Sequence, residues 1–195
     1  MEIDAQEFDG YETFLTLGRI VTPRPIGWIS TTGPAGDNVA PYSFVTPIAV
    51  DPPVLVFQAA PHRDGTQKDT ARNVAASEQF VYNLVTESLM DAMNETARDV
   101  EGSEFDLAGI DRADSVAVDA PRVADAPAAI ECTLRETVDI EGTSVIFGAV
   151  EHVAVDDAYV TEGLPDPEAI AADVVGHVID DVYATLETFR KAQPE

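Results

Sequence analysis

A chain of 195 residues with 36 acidic and 11 basic side chains carries a formal net charge of -25 at pH 7, far beyond the roughly 2 to 8 usual for a small soluble domain. That balance excludes the basic footprint a nucleic acid requires and disfavours an anionic membrane surface. Acids are spread along the whole length and 45% of the residues are hydrophobic, so the composition describes a folded protein adapted to concentrated salt and not an acidic disordered tail.

The first residues, Met1-Glu2-Ile3-Asp4, lack a basic segment followed by an apolar stretch. No apolar run approaches the ~20 residues of a spanning helix, and a cytoplasmic protein of one domain over 1–195 is expected. Residues 26–32 read as a strand, Gly33-Pro34-Ala35-Gly36-Asp37 as a turn, and 38–45 as the return strand of a hairpin. Asp51-Pro52-Pro53 resets the chain into 54–60, whose unbroken apolarity predicts a strand buried on both faces. Thr66 followed by Asp69 resembles a capping box opening a short helix to Ser77 along Ala71, Val74 and Ala75. Residues 79–85 are strand-like, 90–98 helical, and 101–120 an irregular acidic excursion. Two long strands, 129–139 and 144–155, turn at Glu141-Gly142, and 167–175 and 179–191 have helical spacing in places. Many strands, few helices and no regular alternation argue for an antiparallel barrel over a doubly wound sheet. Gly33-Pro34-Ala35-Gly36 lacks the dinucleotide spacing and joins two strands, and no Walker-type loop is present.

The chain has two lysines, and Lys68 sits in the densest polar cluster, His62-Arg63-Asp64-Gly65-Thr66-Gln67-Lys68-Asp69-Thr70. A helix N-terminus with free N–H groups, two threonine hydroxyls and cations on Arg63, Lys68 and Arg72 are phosphate-binding parts. Asp69 would repel an anion, so its expected duty is to cap the helix or orient Lys68. An ordinary capped surface helix would carry the same residue types. Asn38-Val39-Ala40-Pro41-Tyr42-Ser43-Phe44 offers small, aromatic and hydroxyl groups on a strand that Pro41 deprives of a ladder donor, a bed for a flat ring. Core packing is the alternative for Tyr42 and Phe44. Cys132 lies in an apolar alternation and is expected to be a buried, inert thiol. His62 adjoins the cluster, His152 is expected to be exposed, and the histidine spacings give no metal site.

Taken in order, Arg24-Pro25-Ile26-Gly27-Trp28-Ile29-Ser30-Thr31, then Asn38 to Phe44, Asp51-Pro52-Pro53, Lys68-Asp69-Thr70-Ala71-Arg72-Asn73 and Phe80-Val81-Tyr82-Asn83-Leu84 resemble the motif series of the flavin reductase-like family of FMN-binding split barrels. Pro121-Arg122-Val123, residues 128–132, and Gly176-His177 with Tyr183 are similar to its later segments. The resemblance implies a mainly β fold, a six-stranded antiparallel Greek-key split barrel with a few peripheral helices. Its core would span about 17–160, with 161–195 packing on the barrel or on a dimer partner. It further implies a homodimer with FMN at or near the subunit interface. Lys68 and Thr70, with Arg63 and Asn73 nearby, would meet the phosphate, and Ser30, Thr31 and Thr32 the phosphate or ribityl chain. Asn38, Pro41, Tyr42, Ser43 and Phe44 would lie along the isoalloxazine, partly through backbone atoms. His177, against the nicotinamide or flavin face, is the catalytic candidate. The activity implied is hydride transfer from NADH or NADPH to flavin N5 and onward to a flavin, a metal chelate or an electron-transfer partner. An electron carrier without a nicotinamide site, a flavin-storage module, and a barrel that has lost flavin are the alternatives. The extra phosphate of NADPH would need a further cation, and the scarcity of cations outside the cluster favours NADH.

Overall fold

A computed structural model describes residues 2–4, 6–7 and 9–191; Met1 and 192–195, the ends of the expected single-domain span, lie outside the described residues. Seven strands form one antiparallel sheet: β1 (Gly27–Thr31), β2 (Asn38–Tyr42), β3 (Val45–Val50), β4 (Pro53–Ala59), β5 (Gln79–Asn83), β6 (Ala128–Ile140) and β7 (Thr143–Val155), in the order β2-β1-β5-β6-β7-β4-β3. The strands at the two edges, β2 and β3, are consecutive in the chain and separated only by Ser43 and Phe44. The three steps from Tyr42 to Val45 span at most about 11 Å, so the two edge strands adjoin at this corner and the sheet curls on itself. Packing agrees: Tyr42 at one edge and Phe57 near the other have ring centroids 5.3 Å apart, and Phe57 meets Phe80 of β5 edge-on at 5.0 Å. The core of the curl gathers Ile29, Tyr42, Val45, Leu55, Phe80, Cys132 and Ile146, one or more from each strand. Burial pushes the Cys132 thiol up to about 12, as an inert core thiol requires.

Seven strands, not six, make this sheet because the return strand breaks at Ser43–Phe44 and the chain goes on as β3 through residues 46–50, to which the sequence reading assigns no strand. Strand β2 pairs with β1 from Gly27↔Tyr42 to Thr31↔Asn38, and β3 with β4. The predicted hairpin, the buried strand β4 and the long β6–β7 hairpin are present, the last turning through Glu141 and Gly142 with φ of 52° and 84°. Helix α2 (Asp69–Ser77) is present, but its expected capping box is not: Lys68 is the N-cap and makes no side-chain cap bond, while the Thr66 hydroxyl and N–H both donate to Asp64 at 2.6 and 2.9 Å.

Helix α1 (Gly10–Ile20), to which the sequence reading assigns no element, starts at Asp9, whose carboxylate accepts from the Tyr11 and Glu12 N–H groups. Helix α3 (Met90–Glu95) and helix α4 (Glu104–Ala108) cover a second core of Trp28, Val39, Met93 and Phe105. The expected irregular excursion is therefore partly helical. It is tied down by fully buried Glu131 of β6, whose carboxylate accepts from the Val116 and Ala117 N–H groups at 2.9 and 2.6 Å. His152, expected to be exposed, is half-buried with Nδ1 3.5 Å from the same carboxylate.

After α5 (Pro167–Asp173), β8 (Val175–Ile179) and β9 (Val182–Thr185) form a hairpin that pairs with Arg24–Pro25 in a three-stranded sheet. The helix expected over 179–191 is thus overturned. Val175, Val178, Ile179, Val182 and Thr185 are β-branched, and Asp180 at φ 50° makes the turn. Among the described residues no helix is long and apolar enough to cross a membrane.

Candidate functional site

Two buried features bring the N-terminus of α2 to the inner end of the β1–β2 hairpin. Asn73, fully buried on α2, clamps the turn between the strands: its Oδ1 accepts from the Ala35 N–H at 3.0 Å, and its Nδ2 donates to Gly36 O at 2.8 Å and Thr31 Oγ1 at 3.1 Å. A Cβ on Gly33 would stand 3.1 Å from the Asn73 backbone, so the close approach of turn and helix requires glycine there. One turn earlier on the helix, the Thr70 hydroxyl donates to Asn38 Oδ1 of β2 at 2.6 Å. Asn38 Nδ2 in turn donates to Glu104 Oε2 of α4 at 2.9 Å.

These contacts wall a pocket of about 250 Å³ lined by Asn38, Pro41, Tyr42, Lys68, Asp69, Thr70 and Glu104, and closed on its far side by residues 96–100. Its other basic side chains are engaged: His62 Nδ1 stands 3.3 Å from Asp99, and Arg98 binds Glu95 at 2.9 Å. Asp69 is held by Arg72. Half-buried Lys68 makes no ion pair among the described residues, and it opens a helix whose first N–H groups face no intrahelical acceptor. The Tyr42 hydroxyl, beside Thr70, is buried and meets no partner in hydrogen-bond geometry among the described residues; burial above all, against the opposing influence of the nearby Thr70 hydroxyl, holds its pKa well above the ordinary phenol value and keeps it neutral. Burial likewise raises the Glu104 carboxyl, with Asp69 adding to the effect and hydrogen bonds from Asn38 and backbone opposing it.

The pocket gathers Asn38, Pro41, Tyr42, Lys68 and Thr70 from the residues singled out in the sequence. The others stand elsewhere. Ser30 donates to Pro121 O and accepts from Asn83 Nδ2 at 3.0 Å, Thr31 accepts from Asn73, and Thr32 donates to Asp37 at 2.8 Å, so these hydroxyls build the hairpin and its surroundings. Arg63 is exposed. Phe44 turns to the opposite side of the corner, its ring 5.6 Å from Phe14 with the Arg24 guanidinium 5.2 Å above it.

His177 and Ser43 line a neighbouring cavity of about 240 Å³, together with Met93, Asn94 and Tyr183, and the two cavities share Pro41 and Ala97. His177 Nε2 lies 3.1 Å from Asp180 O, which fixes the N–H on that nitrogen; Nδ1 then accepts from the Ser43 hydroxyl at 2.7 Å, with Arg24 Nη2 3.4 Å away. Both ring nitrogens are therefore committed to the protein. Sequence reasoning missed Glu104, which nothing in the sequence separates from the other acids of the excursion. It also missed Arg24 as a joint, whose guanidinium donates to Gly18 O and Val21 O at the end of α1 and to Val178 O of β8.

A family model described as the flavin reductase like domain matches residues 17–165. This chain belongs to the flavin reductase-like family. An uncharacterized protein from Aquifex aeolicus (strain VF5) is 36% identical over 167 residues, covering 84% of this chain and 85% of the relative. Among solved structures, nitrilotriacetate monooxygenase component B from Bacillus cereus superposes with a TM-score of 0.90 at 25% identity, covering 98% of each chain. The 2-nitrobenzoate 2-nitroreductase NbaA of Pseudomonas fluorescens does so with 0.89 at 27% identity, covering 100% of this chain and 96% of that one. The expectation of a mainly β split barrel holds.

Proposed function

We propose that this flavin reductase-like protein is an FMN-binding oxidoreductase. The observation that carries the reading is Lys68: a basic residue with no ion pair among the described residues of a chain with 36 acids, at the N-terminus of α2, in a pocket whose Tyr42 hydroxyl likewise has no partner among them. Lys68, the first N–H groups of α2 and the Tyr42 hydroxyl would hold the phosphate ester. Pro41 and Ala97, shared by the two cavities, make a path for the rest of the cofactor toward Ser43 and His177. The bound cofactor would supply the hydride-accepting ring, reduced by NADH or NADPH and reoxidised by a flavin, a metal chelate or an electron-transfer partner. This chain's residues seat the phosphate and shape the cavity, and no side chain acts as acid or base.

A homodimer belongs to the same proposal. Along α1, Tyr11, Leu17 and Ile20 expose apolar side chains, and Phe14 joins Phe44 at the corner. Such a face on an otherwise strongly acidic protein is fitted to a second copy.

Protein purified in concentrated salt should be yellow, and NADH added without oxygen should bleach it. Colourless protein that neither binds FMN nor reduces it would sink the reading. The committed state of His177 favours a second reading, an FMN electron carrier reduced by another protein; a yellow protein left unbleached by NADH and NADPH would select it.

A further inference from the structure

The pocket contains a hydrogen-bond chain whose direction is set at one end. Ionised Glu104 can only accept, so Asn38 must turn Nδ2 toward it, leaving Asn38 Oδ1 to accept the single proton of the Thr70 hydroxyl. The Thr70 hydroxyl then offers the pocket lone pairs alone, which a phosphate ester repels. A neutral Glu104 reverses every link. Its carboxyl O–H donates to Asn38 Oδ1, the amide turned over donates Nδ2 to Thr70 Oγ1, and the Thr70 proton becomes free to donate into the pocket.

We propose that seating a phosphate ester beside Lys68 and Thr70 places one proton from solvent on Glu104, with Asn38 turning over to carry the change to Thr70. This rests on the reading of the pocket as a phosphate-ester site.

The charged groups around Glu104 point to it and to no other acid. From α2 come Lys68 and Asp69, from residues 96–100 Arg98 and Asp99, from the loop before α2 His62, and from its own helix Asp106. Asp69 is held by Arg72, Asp99 faces His62, and Asp106 binds Arg112 at 2.9 Å. Glu104, 6% exposed, has only the Asn38 amide as a side-chain partner and no cation among the described residues. A dianion arriving beside it acts on the acid least compensated by charge, in a site where burial already favours its neutral form.

The test is calorimetric titration of the full chain with FMN at pH 8 in concentrated potassium chloride, repeated in two buffers of different ionisation enthalpy. FMN should draw about one proton from the buffer, since its phosphate is already dianionic well above its second pKa of about 6. Riboflavin, lacking the phosphate, should draw none. Glu104→Gln should bind FMN about three- to tenfold more tightly and take up no proton. An infrared difference spectrum of the wild type, with and without FMN, should show a new protonated carboxyl band, a readout that needs no variant to fold. Tight FMN binding with the same heat in both buffers, or uptake retained in Glu104→Gln, overturns the inference while leaving the FMN site standing. Failure of FMN to bind at all overturns both.

Discussion

Lys68 has no carboxylate partner among the described residues, in a chain where acids outnumber bases by more than three to one. An amine so placed gains from an anion what it lacks from the protein. Removing it by Lys68→Ala should weaken FMN binding by about 1.5–3 kcal/mol, the worth of a charge-assisted hydrogen bond, as measured by flavin fluorescence at fixed salt; unchanged affinity would place the phosphate elsewhere. Glu104 makes a prediction for the free protein as well. Its carboxyl is raised in the folded state, so above the ordinary glutamate value of 4.5 the native chain holds a proton that the unfolded chain has released. Stability therefore falls as pH rises through the window between the ordinary and raised values, and the loss is complete above it. Glu104→Gln should remove this cost, leaving the melting temperature near that of the wild type at pH 4.5 and raising it at pH 8. A gain confined to low pH would contradict the assignment.

At the level of elements, the site depends on how one helix is fastened to one hairpin. Asn73→Ala breaks two hydrogen bonds to the turn and one to Thr31 of β1, and leaves the buried Thr31 hydroxyl and the Ala35 N–H without their partner. The expected cost is about 1–3 kcal/mol in denaturant unfolding, with weaker FMN binding, because the α2 N-terminus is no longer fixed against β2. Within the barrel, a Cβ on Gly148 of β7 would overlap the Phe80 ring and crowd Cys132. Gly148→Val should cost about 1–3 kcal/mol or more through overpacking, with no direct effect on the pocket. These elements were legible to different degrees. The hairpins announced themselves through turn residues between apolar runs, and Lys68 through its rarity. Asn73 appeared near the site, but its role as a clamp depends on a hairpin 40 residues away in sequence, which no local pattern encodes. The last strands were mistaken for a helix because β-branched runs of four or five residues fit either period, and their pairing with Arg24–Pro25 is long-range. Glu104 reached the pocket by tertiary packing alone.

For the molecule as a whole, a net charge of -25 makes the compact state repel itself. Ions that shorten the Debye length from about 10 Å at 0.1 M to about 3 Å at 1 M relieve that repulsion. The melting temperature should therefore climb steeply with potassium chloride, and full stability in dilute buffer would refute the salt-adapted reading. If the α1 face joins two copies, Ile20→Asp, at a position 71% exposed, should convert dimer to monomer in light-scattering chromatography without unfolding the barrel.

The corner at Ser43–Phe44 has a consequence for behaviour at high concentration. It brings together two rims that each carry a proline, Pro41 on one and Pro47 on the other, and a proline has no N–H to offer a neighbouring strand. The two rims are not paired with each other in the sheet, and a proline on each leaves one fewer donor with which a ladder could close. The same missing donors deny a foreign strand its template, and the rims are guarded against fibril growth by their own prolines.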